Sequence, residues 1–195
     1  MCTKLGQELS LQELLGKIEC EIERLGENIV DYVNSEKGSL YSDVFTCDGW
    51  KSVSGFDAWK DSIEEGSGLY VFRFCSDIVV DKEKFNKVKY ACPKMKRNDN
   101  SLVIKARKGG VLYLGKSEGK IKDRINQHII WKEERKKTSS LRLAHRNRAK
   151  NKLHLEVAVF YLNPSYKMYE KILLTGVESC LHEKLNPECG SSKNS

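Results

Sequence analysis

The sequence predicts an α/β domain in which a small, mainly antiparallel three-stranded sheet is flanked by helices and preceded by a helical arm. Apolar residues recur at helical spacing near both ends of the chain and in its middle. Three short segments have the composition of strands, and each is bounded by Gly or Pro. The length of 195 residues suits one domain with an added arm.

The arm begins with a capping-box pattern from Ser10 to Glu13, which predicts the start of an amphipathic helix. Gly26 is a candidate interruption of this helix. Residues 35 to 56 are rich in Ser, Gly and Asp and predict a loop, followed by a short helix over residues 57 to 64. The apolar stripe of the first helix comprises Leu11, Leu14, Ile18, Ile22 and Leu25.

Three strands are expected after this arm. The first covers residues 69 to 74 and places Tyr70, Phe72 and Phe74 on one side. Residues 75 to 109 are polar and predict an irregular insertion. The second strand covers residues 111 to 116, and the third covers residues 153 to 162.

The second strand leads through a glycine turn into a basic helix, which we expect to run from Lys120 to about Lys136. Isoleucines at positions 121, 125 and 129 give it a buried face. Arg124 and His128 lie one turn apart on a single face. A further short basic helix is expected over residues 138 to 150.

A last helix is expected over residues 166 to 185, and Glu178 lies beside its apolar stripe. A carboxylate at the edge of a buried surface is costly unless a positive charge meets it. A structural ion pair and a divalent metal ion would both satisfy this need, and the spacing leaves both open.

Charge is distributed unevenly along the chain. Residues 1 to 66 carry 6 basic and 14 acidic side chains, a net charge of −8, whereas residues 105 to 152 carry 16 basic and 4 acidic, a net charge of +12. Such a basic block favours a polyanionic partner, although a solvated basic surface is the simpler alternative. The candidate nucleic-acid contacts are Lys120, Lys122, Arg142, Arg146 and Arg148.

Other classes of protein fit the sequence less well. No apolar run approaches the roughly 20 residues that a membrane span needs, so we expect no membrane partner. The first residues lack the apolar core of a signal peptide, and the seven cysteines include no C-x-x-C pair. We therefore expect reduced thiols and a cytoplasmic location, or a nuclear one in a eukaryote.

Five features occur in one order along the chain. They are Gly68-Leu69-Tyr70, Tyr113-Leu114-Gly115, Arg124, His128 and Glu178, with Ser117 two residues after the second glycine and Pro187 nine residues after the glutamate. This ordered set resembles the GIY-YIG nuclease family, over about residues 66 to 195.

The resemblance implies a GIY-YIG nuclease domain over residues 67 to 195 and metal-dependent hydrolysis of DNA phosphodiester bonds. Glu178 would hold Mg²⁺ or Mn²⁺, and Arg124 would stabilise the phosphoryl oxygens. Tyr70 would be the general base, and Tyr113 would line the phosphate beside it. The remaining implied catalytic residues are His128, Lys116 and Asn194.

The chain departs from the family pattern in two places. Family members separate the two tripeptides by far fewer than the 42 residues that lie between Tyr70 and Tyr113 here. This difference is the reason to treat residues 75 to 109 as an insertion. The segment from Gly115 to Arg124 is also one residue longer, and Asn186 competes with Asn194 for the role of the closing asparagine.

Several alternatives are open. The chain resembles the restriction-endonuclease branch most, and duplex cleavage with one site per chain predicts a homodimer or a transient pair. A non-catalytic nucleic-acid-binding module of the same fold and an RNA-directed nuclease are the rival functions. In a further alternative, the acidic arm competes for the basic surface and inhibits binding.

Overall fold

A computed structural model of the chain confirms the α/β class, with an N-terminal helix, an antiparallel sheet and flanking helices. The structure describes residues 10–35, 38–87, 94–95, 102–130, 140–143 and 153–190.

Five helices and eight strands occur in the described residues. In chain order they are α1 (Leu11–Asn34), β1 (Leu40–Tyr41), β2 (Phe45–Cys47), β3 (Lys51–Ser52), α2 (Phe56–Trp59), β4 (Gly68–Phe74), β5 (Ile78–Asp81), α3 (Lys82–Asn86), β6 (Val103–Ala106), β7 (Val111–Ser117), α4 (Ile121–Ile129), β8 (Leu155–Leu162) and α5 (Glu170–Leu185). Two 3₁₀ turns, Lys60–Ser62 and Pro164–Tyr169, precede β4 and α5.

The main sheet is larger than the three strands expected. Its order is β1-β2-β8-β4-β7, and β3 also pairs with β8. The three predicted strands are adjacent in it, in the order β8-β4-β7, and pair antiparallel throughout. The additional strands come from residues predicted to form a loop, because strands of two or three residues are too short to show an alternating pattern.

The sheet separates two layers of packing. Leu69 and Val71 of β4 belong to the core that contains α1 and α5, whereas Tyr70, Phe72 and Phe74 belong to the core that contains α4. This alternation follows from the two-residue period of a strand and agrees with the prediction. The described part of residues 1 to 66 therefore contributes two helices and three strands to the same sheet and cores as the rest of the chain.

Helix α1 differs from its prediction in two respects. The predicted capping box is present at Ser10 and Glu13, but the helix continues through Gly26, where a Cβ atom would lie 2.5 Å from Cys180 Sγ of α5. The small residue thus permits close helix packing. The first turns are not buried, since Leu11 is 71% exposed.

Arg73 of β4 joins α1 to the sheet through three contacts. Its Nε lies 2.6 Å from Glu156 Oε1, and its Nη1 donates to the backbone oxygen of Val33 at 2.6 Å. The guanidinium lies 3.6 Å from the ring centroid of Trp50. A buried arginine is tolerated here because a carboxylate, a carbonyl and an aromatic face all meet it.

The insertion between β4 and β7 has regular structure where it is described. Strands β5 and β6 form a two-stranded antiparallel ribbon, and Asp81 caps α3 by accepting a hydrogen bond from Lys84 N at 2.9 Å. Val80 and Ala106 of the ribbon pack into the same core as Tyr70. The expectation of an irregular insertion was wrong, because four-residue strands with one buried face carry a weak signal.

Two predicted helix boundaries also change. Helix α4 ends at Ile129, where its Ile130 cap donates to Asn126 O, rather than near Lys136. Most of the predicted helix at 138 to 150 lies outside the described residues. In the part of the chain that the structure describes, no helix is long and apolar enough to cross a membrane.

Gly68, the first residue of the first tripeptide, is expected to be required for folding. A Cβ atom there would lie 2.2 Å from the backbone oxygen of Phe160, so Gly68→Ala forces strands apart. We expect a loss of about 2 kcal/mol in the free energy of unfolding, measured by urea denaturation. The matched control is Gly16→Ala in α1, where a Cβ meets nothing within 4 Å, and it should stabilise by up to about 1 kcal/mol. Equal effects of the two changes would contradict this account.

Candidate active site

The predicted catalytic residues lie around β7, the last strand of the main sheet. Helix α4 follows β7 through a short turn and packs on one face of the sheet. Helix α5 packs against the other face. A strand at the edge allows side chains from both layers to meet beside it.

Tyr70 and Gly115 are paired directly across β4 and β7. The tyrosine side chain crosses its partner, because a Cβ at position 115 would lie 2.5 Å from Tyr70 Oη and 2.8 Å from its Cζ. Only glycine leaves space for the phenol in this position. Glycine is therefore required at position 115 for a steric reason, since it leaves room for the Tyr70 hydroxyl of the first tripeptide.

Two side chains of α4 form hydrogen bonds with the hydroxyl of Tyr70. His128 Nε2 lies 2.9 Å from Tyr70 Oη, and Arg124 Nε donates to the same oxygen at 3.3 Å. On its other side, His128 Nδ1 accepts a hydrogen bond from the backbone N–H of Leu141 at 2.9 Å. Because a backbone N–H can only donate, the imidazole proton is on Nε2, and His128 donates to Tyr70.

Burial sets the protonation of this group of residues. His128 is fully buried, and burial followed by the charge of Arg124 holds the pKa of His128 well below its ordinary value. Burial also raises the pKa of Tyr70, whereas the charge and hydrogen bond of Arg124 act in the opposite direction. In the isolated protein, the imidazole is neutral at pH 7 and the phenol keeps its proton.

Arg124 and Tyr113 complete the α4 side of the site. Arg124 is half-buried, and its Nη1 donates to Gln127 Oε1 at 3.0 Å, which fixes the plane of the guanidinium. The rings of Tyr70 and Tyr113 are stacked with centroids 6.2 Å apart. Burial raises the pKa of Tyr113, and Arg124 opposes that shift.

Glu178 approaches from α5 and is half-buried. After burial, its negative charge is among the causes that raise the pKa values of Tyr70 and Tyr113, so the carboxylate lies near both phenols. Lys116 at the end of β7 donates a hydrogen bond to Thr175 Oγ1, one turn before Glu178. The structure thus brings together Tyr70, Tyr113, Arg124, His128, Lys116 and Glu178.

The donor set around Glu178 bears on the expected metal. Among the described residues, no group of three His, Cys, Asp or Glu side chains could hold a metal ion. Mg²⁺ and Mn²⁺ suit a different arrangement, in which one or two carboxylates bind and waters fill the remaining positions. A single half-buried carboxylate beside phenolic oxygens fits such a hard cation and does not fit a closed zinc site.

The predicted nucleic-acid contacts divide into three groups. Lys120 is exposed before α4, and Lys122 is half-buried on it, so both can meet a ligand. The expectation that Arg142 contacts nucleic acid was wrong, because this residue is only 1% exposed. The segment from 140 to 143 folds against α4, where Ser140 Oγ donates to Gln127 O. Arg146 and Arg148 lie outside the described residues.

The C-terminal segment passes beside the site. Cys189 N donates to Leu112 O at 2.8 Å, and a Cβ at Gly190 would lie 3.4 Å from Tyr113 Cε2. Asn194 follows four residues later and lies outside the described residues. Asn186, the alternative asparagine, is the left-handed cap of α5 with φ of 41°, which gives it a structural role.

Two supporting residues were not predicted from the sequence. Gln127 orients Arg124, and Thr175 holds Lys116. Each lies three residues before or after a predicted site residue on the same helix, so the i, i+3 spacing could have indicated both.

We expect the burial of neutral His128 to make stability depend on pH. Below its ordinary value of 6.5 the unfolded chain binds a proton at His128 that the folded protein excludes, so stability falls as pH decreases from 7 towards 5. The loss should approach about 1.4 kcal/mol per pH unit in urea denaturation. His128→Gln should lose this dependence, whereas His154→Gln, at an exposed histidine, should keep it. Parallel pH curves for His128→Gln and the wild type would refute this explanation.

Comparisons with known proteins give no match. Neither family models, nor curated proteins, nor solved structures match the chain. The interpretation of the site therefore rests on the geometry of its own side chains.

Proposed function

We propose that this protein is a metal-dependent endonuclease of the GIY-YIG type that hydrolyses phosphodiester bonds of duplex DNA. One observation carries the proposal: the Tyr70 hydroxyl accepts hydrogen bonds from Arg124 and His128, and the negative charge of Glu178 acts on the same phenol. These residues come from β4, α4 and α5, and a purely structural core does not need a phenol, a guanidinium and a carboxylate at one place.

Arg124 would stabilise the charge that develops on the non-bridging phosphate oxygens. Its guanidinium is already oriented by Tyr70 and Gln127, so little reorganisation is needed when a phosphate arrives. Lys116, held on Thr175, adds positive charge at the same edge of the sheet.

Tyr70 would first lose its own proton to solvent, and the phenolate would then accept the proton of the attacking water. Its oxygen already receives two donors, an arrangement that favours the phenolate over the phenol. Burial works against ionisation, so the base needs one more positive charge nearby. A divalent ion bound to Glu178 would supply that charge and polarise the phosphoryl group.

His128 has a positioning role in this scheme. Its Nδ1 is occupied by Leu141 N–H, and its Nε2 carries the proton, so the neutral imidazole cannot take a proton from Tyr70. It donates to the phenol oxygen and would stabilise the phenolate after the proton has left.

Two chains would cut both strands of a duplex, since each chain supplies one site. The first turns of α1 expose apolar surface that a second chain could cover. The exposed leucines are Leu11, Leu14 and Leu15.

Glu178→Gln is the principal test of the nuclease function. The change keeps size and removes the charge that would hold Mg²⁺ or Mn²⁺, so cleavage of duplex DNA should fall by about 10²- to 10³-fold. Binding measured without divalent ions should be nearly unchanged. The assay offers duplex DNA, single strands and structured RNA in parallel, followed by gel analysis of the products.

Glu183→Gln is the matched control, because Glu183 is exposed on the same helix. It should cut as the wild type does. If the wild type binds DNA but cuts no substrate with either metal, the non-catalytic binding function replaces this proposal. If it cuts only RNA, the RNA-directed alternative replaces it.

Tyr70→Phe tests the general base. Because burial raises the pKa of Tyr70, the phenolate fraction grows with pH, and wild-type cleavage should rise about tenfold per pH unit from 7 to 9. Tyr70→Phe should cut far more slowly, and its residual rate should show a flatter pH profile under single-turnover conditions. A slow variant with the full wild-type slope would assign the proton transfer to another group.

A further inference from the structure

The insertion between the two tyrosine-bearing strands is basic in composition and includes a regular ribbon. Residues 75 to 109 contain 10 basic and 4 acidic side chains. Where the structure describes them, they form the β5–β6 ribbon, in which Val79 pairs with Lys105 and Asp81 with Val103. Lys105, Arg107 and Lys108 are exposed along β6 and the turn that follows it.

The two faces of this ribbon differ. Val80 and Ala106 are buried in the core that also holds Tyr70 and Tyr113, so the ribbon is anchored on the same side of the main sheet as α4. The outer face carries Val79, which is 62% exposed, beside Lys105 and Val103. Asp81 lies opposite Val103 on the same face, so two exposed valines stand beside one cation and one carboxylate.

The base of the ribbon is fixed close to the proposed catalytic centre. Lys108 N donates to Asp77 Oδ1 at 2.7 Å, and Phe74 N donates to Gly110 O at 2.9 Å. Tyr70 lies four residues before the end of β4, and Tyr113 lies three residues after Gly110. Since a strand rises by about 3.3 Å per residue, each tyrosine lies about 10 to 13 Å along its strand from the base of the ribbon. This distance is comparable to the width of the major groove, about 12 Å.

We infer that the outer face of the β5–β6 ribbon enters the major groove of duplex DNA and reads base sequence next to the phosphate presented to Tyr70. A two-stranded ribbon fits this groove, lysine and arginine recognise the O6 and N7 acceptors of guanine, and valine methyl groups contact the methyl group of thymine. Lys105 and Arg107 are the specificity-determining cations, and Val79 and Val103 are the apolar contacts. The inference rests on the proposed function, because it takes DNA as the substrate.

The experiment selects bound sequences from a randomised duplex pool in the presence of EDTA, so that cleavage does not affect the result. The wild type should enrich a short motif that contains guanine and thymine. The double change Lys105→Ala and Arg107→Ala should reduce the preference at the guanine positions by roughly tenfold. The matched control, Lys17→Ala with Lys171→Ala, removes two exposed cations from α1 and α5 and should enrich the wild-type motif.

A second measurement tests the apolar contacts. Replacing thymine by uracil in the selected site removes only the methyl group and should weaken wild-type binding by roughly fivefold. Val79→Ser should bind the two duplexes equally. Because Val79 is exposed, this variant should fold as the wild type does, which thermal denaturation checks.

Four results would overturn the inference: the same motif from the double variant and the wild type, uniform weakening on all sequences, no motif for the wild type, or preferential retention of RNA. Uniform weakening would make Lys105 and Arg107 phosphate contacts. The outcome is separable from that of the nuclease test. If the wild type cuts DNA and the double variant keeps the wild-type motif, the nuclease function stands and base readout by the ribbon is rejected. If the wild type does not cut DNA but the double variant loses the guanine preference, only base readout by the ribbon stands.

Discussion

The hydroxyl of Tyr70 is the point on which the arrangement of the candidate site depends. Two consecutive elements meet it: Gly115 of β7 leaves the space for it, and Arg124 and His128 of α4 donate to it. His128 is in turn fixed by the backbone of Leu141. The two donors directed at the phenol oxygen favour its ionised form, whereas burial disfavours it.

This balance explains why the site lies at the edge of the sheet. Tyr70 itself belongs to β4, which lies between β8 and β7, and its phenol extends towards the edge by crossing Gly115 of β7. At β7 the α4 layer and the α5 layer meet around a single strand, which lets Glu178 approach phenols that belong to the opposite face. The edge therefore supplies both the mixed set of side chains and access for a polyanion.

The central elements could be predicted from the sequence because their side chains carry the signal. Three strands of seven or eight residues and α4 have enough length to show their periods, and the spacing of Arg124 and His128 placed them on one face. The ordered set of site residues then suggested that they converge. The structure brings the described members together around Tyr70.

What could not be predicted depends on the backbone or on burial. Strands β1 to β3 pair with β2 or β8 through main-chain hydrogen bonds over two or three residues, and no side-chain pattern records such short pairings. His128 was predicted on a helical face, but its tautomer depends on a backbone N–H thirteen residues later. Arg142 has the residue type of a phosphate contact, and only the fold shows that it is buried.

The acidic N-terminal region acquires a different meaning once its position is known. Helix α1 packs with α5 on the sheet face opposite α4, and Lys184 Nζ of α5 lies 3.1 Å from Glu27 Oε1 of α1. Because α1 is fixed in that core, it cannot also cover the side of the sheet on which α4 lies, which argues against an inhibitory arm. Removing residues 1 to 60 would delete α1 and three strands of the main sheet, so a truncated chain would report on folding rather than on release of the site.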